Sequence, residues 1–390
     1  MSDVLILSAC RTPIGKFRGA LSRRSAVELG AAALTSAVER AGVQAPEIDE
    51  VILGCVLTAG MGQAPARQAA LRAGLPPHTP ALTINKVCGS GLKAVMLAAQ
   101  AIRCGDAELV VAGGMESMSQ AGYMLSREAP PLGDRALVDT LQHDGLTCAI
   151  SGRVMGDIAE GVAQQHGLTR RELDEFAIES HRRACAAAAM GQFCAETVPV
   201  DVPHRGEMVT VDRDEGPRPD TSLERLAALP PAFRRDGLVT AGNSSMISDG
   251  AAALVLGSES AAKRSGVQPL ARVVATATVG VHPEELFTAP VEAIRQVVVR
   301  AKRTLPEVDL FEVNEAFAAQ LLACVRPLDI PLDRVNVHGG AIALGHPIGA
   351  SAARVLVTLL HALQRHNGRI GVAAVCLGGG GAVAVLVERC

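Results

Sequence analysis

The chain has 390 residues, 48% of them hydrophobic, so it can bury a large core, and we expect two or three lobes. Its formal net charge of −3 provides no overall basic field, and its lack of tryptophan leaves little aromatic surface for stacking bases, so nucleic acid is not an expected partner. No apolar run reaches the roughly 18 residues that a membrane helix needs, and the first residues do not resemble a signal peptide. We therefore expect a cytoplasmic protein with no membrane partner.

The cysteines indicate neither a zinc site nor a disulfide framework. None of the ten belongs to a C-x-x-C pair, and a chain of this length needs no disulfide bridges. No histidine or carboxylate cluster with the spacing of metal ligands accompanies them, so no metal is expected. Most are interpreted as buried, reduced thiols, and a packing role is assigned to Cys10, Cys55, Cys104 and Cys324.

Strand-like apolar runs alternate with helical patterns in the first part of the chain. The predicted strands cover residues 4–9, 50–56, 81–85 and 108–114. Ser25 and Glu28 form a capping-box signature that predicts a helix through residue 40, and Thr169 and Glu172 repeat the signature before a second helix. This order of elements indicates an α/β fold.

The last part of the chain repeats the pattern of the first. Strands are predicted over residues 271–280, 308–314, 334–340 and 368–388. In both parts a helix, over 91–103 or 349–364, leads into a strand that ends in a glycine cluster. The repetition suggests a duplicated βαβ unit. If the halves pack with pseudo-symmetry, turns from both can meet where open α/β sheets bind ligands, at the carboxyl ends of the strands.

A stretch of different character, residues 119–240, separates the two halves and is interpreted as an inserted loop domain. It contains the prolines Pro130, Pro131, Pro217, Pro219, Pro230 and Pro231. Near its end lie the arginines Arg205, Arg213, Arg218, Arg225, Arg234 and Arg235. Two interpretations stay open for these arginines: a solvated surface, or a binding surface for a phosphorylated ligand.

Three turns carry the candidate reactive groups. Cys88, in "INKVCGSGLKAV", precedes a predicted helix, where the positive end of the helix dipole is expected to lower the thiol pKa. His346, in "GHPIGAS", is the histidine best placed to act as a base, although a structural role is the alternative. Cys376 leaves an apolar strand for "LGGGG", whose backbone N–H groups either bind an oxyanion or form a close-packed turn.

Together these segments resemble the thiolase family. The motifs are "NKVCGSGLKAV", "GGMESMS", "AGNSSMISDGAAA", "NEAFAAQ", "GGAIALGHPIGAS" and "CLGGGG", in this order along nearly the whole chain. The resemblance implies two duplicated α-β-α-β-α halves with an inserted loop domain. We place the halves at residues 1–118 plus 241–268 and at 269–390, with the loop domain at 119–240. The resemblance also implies a homotetramer built from dimers.

The resemblance implies a role for each matching residue. Cys88 is similar to the acylated nucleophile, His346 to its base, and Cys376 to the acid/base that handles the α-proton of the second thioester. Asn314 matches the residue that holds a water which forms one oxyanion hole with His346, and the backbone N–H groups of Cys88 and Gly378 match the other hole. Coenzyme A contacts fall at Arg218, Phe233 and Ser245, and residues beside the acyl pocket at Met155 and Phe317.

The implied activity is reversible acyl transfer between coenzyme A thioesters, most simply from two acetyl-CoA to acetoacetyl-CoA and CoA. Coenzyme A is then a substrate and product, and no cofactor is expected. The alternatives are a degradative 3-ketoacyl-CoA thiolase, a ketoacyl synthase, and a non-catalytic protein that binds acyl-CoA or lipid. Val154, Ala352 and Arg225 depart from the family pattern, so chain length stays open. The smaller apolar Val154 predicts space for acyl chains beyond four carbons.

Overall fold

Strands and helices alternate at both ends of the chain in the computed structural model, which describes residues 3–128 and 132–390. Pro130 and Pro131, two of the prolines that mark the predicted loop domain, lie outside the described residues. The strands are β1 (Val4–Arg11), β2 (Gly15–Lys16), β3 (Glu50–Gly54), β4 (Ala81–Ile84), β5 (Leu109–Ser117), β6 (Tyr123–Met124), β7 (Val138–Asp139), β8 (Val200–His204), β9 (Glu207–Val211), β10 (Ser248–Ser258), β11 (Ala271–Gly280), β12 (Leu310–Val313), β13 (Ile370–Leu377) and β14 (Gly381–Arg389). The α-helices are α1 (Ala26–Arg40), α2 (Pro65–Arg72), α3 (Ser90–Cys104), α4 (Met155–Gln165), α5 (Arg170–Ala189), α6 (Leu223–Ala227), α7 (Glu259–Ser265), α8 (Ala289–Arg300), α9 (Ala318–Val325), α10 (Ala341–Leu344) and α11 (Ile348–Arg365).

The main sheet joins both halves of the chain. Its strand order is β12-β13-β14-β11-β1-β10-β5-β3-β4, and β2 pairs with β10. The halves meet where β1 pairs with β11, through Leu5 opposite Arg272 and Ile6 opposite Ala271. Within each half, parallel pairs (β3 with β4 and β5, β12 with β13) end at the same edge. That edge carries the turns predicted to be reactive.

Helices α3 and α11 lie between the two halves of the sheet. One apolar cluster joins Val95 of α3 and Leu356 of α11 to Val110 of β5 and Val385 of β14. On the outer faces, α1 packs against β10 and β5, and α8 packs against β11 and β14. The predicted α-β-α-β-α layering of an α/β fold is therefore confirmed.

Close approach of backbone fixes where α11 begins. A Cβ atom built on Gly114 of β5 would lie 2.0 Å from the carbonyl oxygen of Gly349, and one on Gly91 of α3 would lie 2.7 Å from the Ala353 nitrogen. Real Cβ atoms do not come this close, so these positions need glycine. The first turn of α11 thus rests on β5, and this contact brings His346 to the edge of the sheet.

Both capping boxes are confirmed. The Ser25 hydroxyl accepts from the Glu28 backbone N–H at 3.2 Å, and the Glu28 carboxylate accepts from the Ser25 N–H at 2.9 Å, at the start of α1. Thr169 and Glu172 make the same exchange at the start of α5. Each pair satisfies donors that the first turn of a helix would otherwise leave free.

One strand prediction was wrong, and another run contains two strands. Residues 334–340 form no strand: a 3-10 turn (Leu332–Arg334) leads into an isolated bridge between Phe311 and Val335, and the left-handed Asn336 (φ +47°) stops further pairing. The run over 368–388 is a hairpin of two strands, β13 and β14, which divides at its glycines. Strand β10 was not predicted, although it lies at the centre of the first half between β1 and β5.

The stretch predicted as the loop domain is tied to the first half by a buried ion pair network. Arg11 of β1 contacts Glu196 at 2.5 Å and Asp214 at 2.7 Å, and neither Arg11 nor Glu196 is exposed. The domain boundaries themselves stay a prediction. Within the described residues, no helix combines the length and the apolar character that crossing a membrane requires.

The expectation for the thiols holds in part. Cys10, Cys55 and Cys324 are buried, as packing residues should be, whereas Cys104 is exposed, so its assignment as a buried residue was wrong. Cys104 is the last residue of α3, and the chain turns away from the core at Gly105 (φ +82°).

Candidate active site

One cavity of about 800 Å³ collects most of the predicted site residues. Its lining includes Cys88, Met155, Arg218, Phe233, Ser245, Phe317, His346, Cys376 and Gly378. Asn314, the remaining predicted residue, contacts the ring of His346 from behind the cavity wall. Residues from both halves and from the 119–240 stretch therefore meet at the carboxyl edge of the sheet, where α/β folds bind ligands.

Cys88 lies in a tight turn between β4 and α3. Val87, just before it, has a φ of +48°, a left-handed conformation that a β-branched residue rarely adopts. Ser90 holds this turn closed: its hydroxyl donates to the Val87 carbonyl at 2.6 Å and accepts from the Lys86 backbone N–H at 2.8 Å. The strained turn places the thiol at the cavity, two residues before α3 begins.

The expected lowering of the Cys88 pKa was wrong. Burial and, to a smaller extent, the nearby Glu116 carboxyl raise the pKa of the thiol to about 11. The backbone N–H of Gly378 and that of Cys88 itself donate to the sulfur and act in the opposite direction, but burial outweighs them. The resting group is a thiol, so it needs a base before it can attack.

His346 lies between Gly345, whose φ of +112° requires glycine, and Pro347. Its Nδ1 is 2.5 Å from the Ser351 hydroxyl, and its Nε2 is 3.4 Å from the Asn314 amide nitrogen. Burial, followed by the positive charge of Arg354, lowers the pKa of the ring to about 3. The imidazole is therefore neutral near pH 7 and can accept a proton.

Asn314 follows β12, and its backbone N–H donates to the Ala374 carbonyl of the neighbouring β13 at 3.0 Å. Its side chain is fully buried, and its amide oxygen has no partner among the described residues. The next residue, Glu315, accepts from Ser180 at 2.7 Å and from Asn336 at 2.8 Å. These bonds hold the loop that positions the Asn314 amide beside His346.

Cys376 and Gly378 come from the hairpin between β13 and β14. Burial raises the pKa of the Cys376 thiol well above its ordinary value, and the neighbouring Cys88 adds to this. Gly379 (φ +84°) and Gly380 (φ +95°) take left-handed conformations that make the hairpin turn. The turn directs the Gly378 N–H to the Cys88 sulfur and so supplies a donor at the point of attack.

One wall of the cavity is apolar and aromatic. Phe317 makes edge-to-face contacts with Phe233, at 6.2 Å between ring centroids, and with Phe287, at 5.3 Å. Met155 packs against the same cluster, and Val154 also lines the cavity. Such a wall suits an acyl chain.

The six arginines do not form one surface. Arg218 is the member of the group that lines the cavity. Arg234 is paired with Asp157 at 2.5 Å, and Arg225 is paired with Asp220. Arg213 lies 3.8 Å from Asp212, so acidic neighbours occupy three of the arginines predicted to bind a phosphorylated ligand.

Sequence reasoning missed several residues at this site. Lys16 and His181 line the same cavity as Arg218, and their positions in the sequence gave no signal. Glu116, inside "GGMESMS", is buried and accepts from the backbone N–H groups of Val56, Leu57 and Gly349. Burial raises the pKa of this carboxyl to about 7. Its motif was recognised, but its role in joining α11 to the sheet was not.

Comparison with known proteins finds family models and relatives that match nearly the whole chain. The family model described as thiolase, N-terminal domain, matches residues 4–260, and the thiolase C-terminal domain model matches residues 267–389. An acetyl-CoA acetyltransferase of Pseudomonas aeruginosa is 52% identical, and a probable acetyl-CoA acyltransferase of Staphylococcus aureus is 48% identical, each over 100% of both chains. The crystal structure of the Bacillus anthracis acetyl-CoA acetyltransferase superposes with a TM-score of 0.98 at 44% identity, over 100% of this chain and 99% of that one.

Proposed function

Since the chain belongs to the thiolase family and is an acyltransferase, we propose that it condenses two molecules of acetyl-CoA to acetoacetyl-CoA and CoA, reversibly, through an acyl-Cys88 intermediate. The observation that carries this proposal is the convergence of Cys88, His346 and Cys376 on one cavity with an apolar wall. Coenzyme A takes part as substrate and product, and no cofactor or metal is needed for the steps below.

In the first half-reaction the Cys88 thiol attacks the thioester carbonyl. The S–H bond breaks as the proton passes to Nε2 of His346, and the new C–S bond forms on the acyl carbon. The N–H groups of Gly378 and Cys88 stabilise the oxyanion, and one such donor contributes about 3–4 kcal/mol. The C–S bond to CoA then breaks, and the CoA thiolate takes the proton from His346.

In the second half-reaction a new acetyl-CoA enters the cavity. The Cys376 thiol passes its proton to Nε2 of His346, and the resulting thiolate removes the α-proton. The Nε2–H of His346, with a water held by Asn314, stabilises the enolate oxygen. The carbanion attacks the acyl carbon on Cys88 and the acyl C–S bond breaks, and the released Cys88 thiolate takes the proton from His346. The thiolates of Cys88 and CoA are both good nucleophiles and good leaving groups. The same path therefore also runs in reverse, as thiolysis.

Arg218, Ser245 and Phe233 are proposed to contact coenzyme A, and Met155 and Phe317 the acyl group. A homotetramer that acts in fatty acid and lipid metabolism is part of the proposal and follows from the family expectation, and a cytoplasmic location is proposed from the sequence. The domain division is proposed likewise, with the two halves at residues 1–118 plus 241–268 and at 269–390, and the loop domain at 119–240. A non-catalytic protein is less well supported, because Cys88, His346 and Cys376 all line the cavity and relatives about 50% identical are named as enzymes.

The substrate proposal is tested with a series of 3-ketoacyl-CoAs from four carbons upward. Acetoacetyl-CoA should be cleaved, and substrates a few carbons longer should also react, because Val154 leaves apolar room beside Met155. Rates that rise steadily to long chains would favour the degradative alternative. Activity restricted to acetoacetyl-CoA would contradict the wider pocket but not the reaction class, and no cleavage of any of them would contradict the function.

A further inference from the structure

The site leaves one contact of the proposed base without a role. The Ser351 hydroxyl, in the first turn of α11, lies 2.5 Å from Nδ1 of His346 and 2.8 Å from the Pro347 carbonyl oxygen. All three groups are buried or nearly so: Ser351 has no exposed surface, and His346 has 9%. Among the described residues, no carboxylate hydrogen-bonds to Nδ1. A neutral hydroxyl therefore occupies the position that a carboxylate takes beside the catalytic histidine of many other enzymes.

We propose that Ser351 holds His346 in the tautomer that carries its proton on Nδ1, so that Nε2 presents a lone pair to the Cys88 thiol. This inference rests on the proposed function. Ser351 is a positioning residue, since it acts through His346 and has no contact with the acyl group or with coenzyme A in the scheme.

Two hydrogen-bond networks could join these groups, and the oxygen–oxygen distance decides between them. In one, Ser351 donates to the Pro347 carbonyl, and the Nδ1–H of His346 donates to the serine oxygen. In the other, Ser351 donates to a bare Nδ1, and its oxygen then faces the carbonyl at 2.8 Å with no proton between them. That second arrangement opposes two lone pairs and is repulsive. The first gives every short contact one donor and one acceptor.

The Pro347 carbonyl also accepts from the backbone N–H groups of Ala350 and Ser351, at 2.9 and 2.8 Å. This does not exclude the serine hydroxyl, because carbonyls at helix ends commonly share bonds and serine commonly bonds the carbonyl four residues before it. On the far side of the ring, the Asn314 amide nitrogen lies 3.4 Å from Nε2 and can donate only to a bare nitrogen. The Asn314 contact is thus compatible with the tautomer that the Ser351 contacts select.

The charges around the ring are consistent with a base that is neutral at rest. Arg354, one turn along α11 from Ser351, acts on the imidazole, and its own charge is compensated by Glu312 at 3.0 Å. Glu116 acts on Cys88 from β5, and the thiols of Cys88 and Cys376 line the cavity. With no carboxylate bonded to Nδ1, the proton that His346 takes from Cys88 is held weakly and is readily returned to the leaving CoA.

The direct test is the tautomer itself. The full-length enzyme labelled with ¹⁵N-histidine is compared with a His346→Asn sample, which identifies the His346 signals, and two-bond ¹H–¹⁵N correlations show which nitrogen carries the proton. We expect protonated Nδ1 and bare Nε2 in the wild type, and a mixture or the opposite tautomer in Ser351→Ala. A proton on Nε2 in the wild type, or a Ser351→Ala spectrum with the wild-type tautomer, would overturn the proposal. Neither readout depends on activity, so a failure of the proposed reaction stays distinguishable.

The kinetic consequence is measured as burst acylation by acetyl-CoA. Losing one hydrogen bond of ordinary net strength should slow the burst about 3- to 10-fold in Ser351→Ala, with the KM for acetyl-CoA nearly unchanged. Ser351→Thr keeps the hydroxyl and should recover most of the rate. Ser265→Ala is the matched control, because Ser265 also donates to a backbone carbonyl of its own helix, at 2.9 Å, away from the cavity. A raised KM with an unchanged burst in Ser351→Ala would assign Ser351 to binding instead and contradict the proposal.

Discussion

The amide nitrogen of Asn314 lies 3.4 Å from Nε2 of His346, and the amide oxygen of Asn314 is buried without a partner among the described residues. Asn314 comes from the end of β12, and His346 from the turn before α11. Two separate elements of the second half thus place neighbouring polar groups beside the cavity, and the proposed enolate hole consists of His346 and a water held by Asn314.

Replacing Asn314 by alanine should slow condensation about 10²–10³-fold, as the loss of one oxyanion donor does in other acyl-transfer sites. Burst acylation of Cys88 should fall much less, because the Gly378 and Cys88 N–H groups serve that step. The two rates are measured on one preparation whose folding is checked by thermal unfolding. Equal loss of both rates would show that the pair does not act selectively in the second half-reaction.

Replacing Cys376 by alanine should leave burst acylation while abolishing most condensation and thiolysis. General acid–base catalysis contributes about 10²–10⁴-fold, so residual condensation should drop by that factor while acyl exchange with CoA persists. Cys10→Ala is the matched control, since Cys10 is a buried thiol outside the cavity. If the Cys376 variant stays folded but loses the burst as well, the proposed division of labour is wrong.

Replacing Arg218 by alanine should raise the KM for acetyl-CoA more than it lowers kcat. Arg218 lies at the cavity with Lys16, and a cation there can meet the phosphates of coenzyme A. Arg213, which is not part of the cavity lining, provides the control variant Arg213→Ala. The wild-type KM should also rise with salt. An unchanged KM in the Arg218 variant would count against the phosphate contact.

Acid should destabilise the fold through buried histidines. Burial lowers the pKa of His338 from 6.5 to about 4, so between these values the unfolded chain binds a proton that the folded chain does not. This contribution is fully present above pH 6.5 and is lost as the pH falls towards 4, at about 1.4 kcal/mol per pH unit.

Urea unfolding near pH 7 and near pH 5 measures this effect. The loss of unfolding free energy on acidification should be about 2 kcal/mol smaller in His338→Gln than in the wild type. The exposed His78 supplies the control, and His78→Gln should leave the pH dependence unchanged. A His338 variant with the wild-type pH dependence would show that this ring is not held neutral by the fold.

Local sequence signals predicted much of the fold. The capping boxes at Ser25 and Thr169 lie at true helix starts, because the signature depends on bonds within one turn. Strand β10 escaped prediction because it is rich in alanine and buried on both faces, so it shows neither alternation nor strong β-propensity. Residues 334–340 are the opposite case, because a strand was predicted and none forms. Their valines favour a strand, but Asn336 and the glycines prevent one.

The residues of the proposed site could be predicted where the residues of one short motif form the turn that positions them. The turns around Cys88, His346 and Cys376 are short, so their sequences already fix which side chains line the cavity. What could not be predicted depends on distant partners. Burial outweighs the helix dipole at the Cys88 thiol, and Asp157 engages Arg234 from another element.

The covalent intermediate gives the most direct test of the proposed mechanism. Lys86 and Lys93 flank Cys88, so trypsin releases it on the peptide of residues 87–93, while Cys376 falls on the peptide of residues 370–389. The enzyme is mixed with acetyl-CoA, quenched in acid, digested and examined by mass spectrometry. We predict one acetyl group on the 87–93 peptide, absent from a Cys88→Ala variant. Acetylation on the 370–389 peptide, or on neither, would contradict the assignment of Cys88 as the nucleophile.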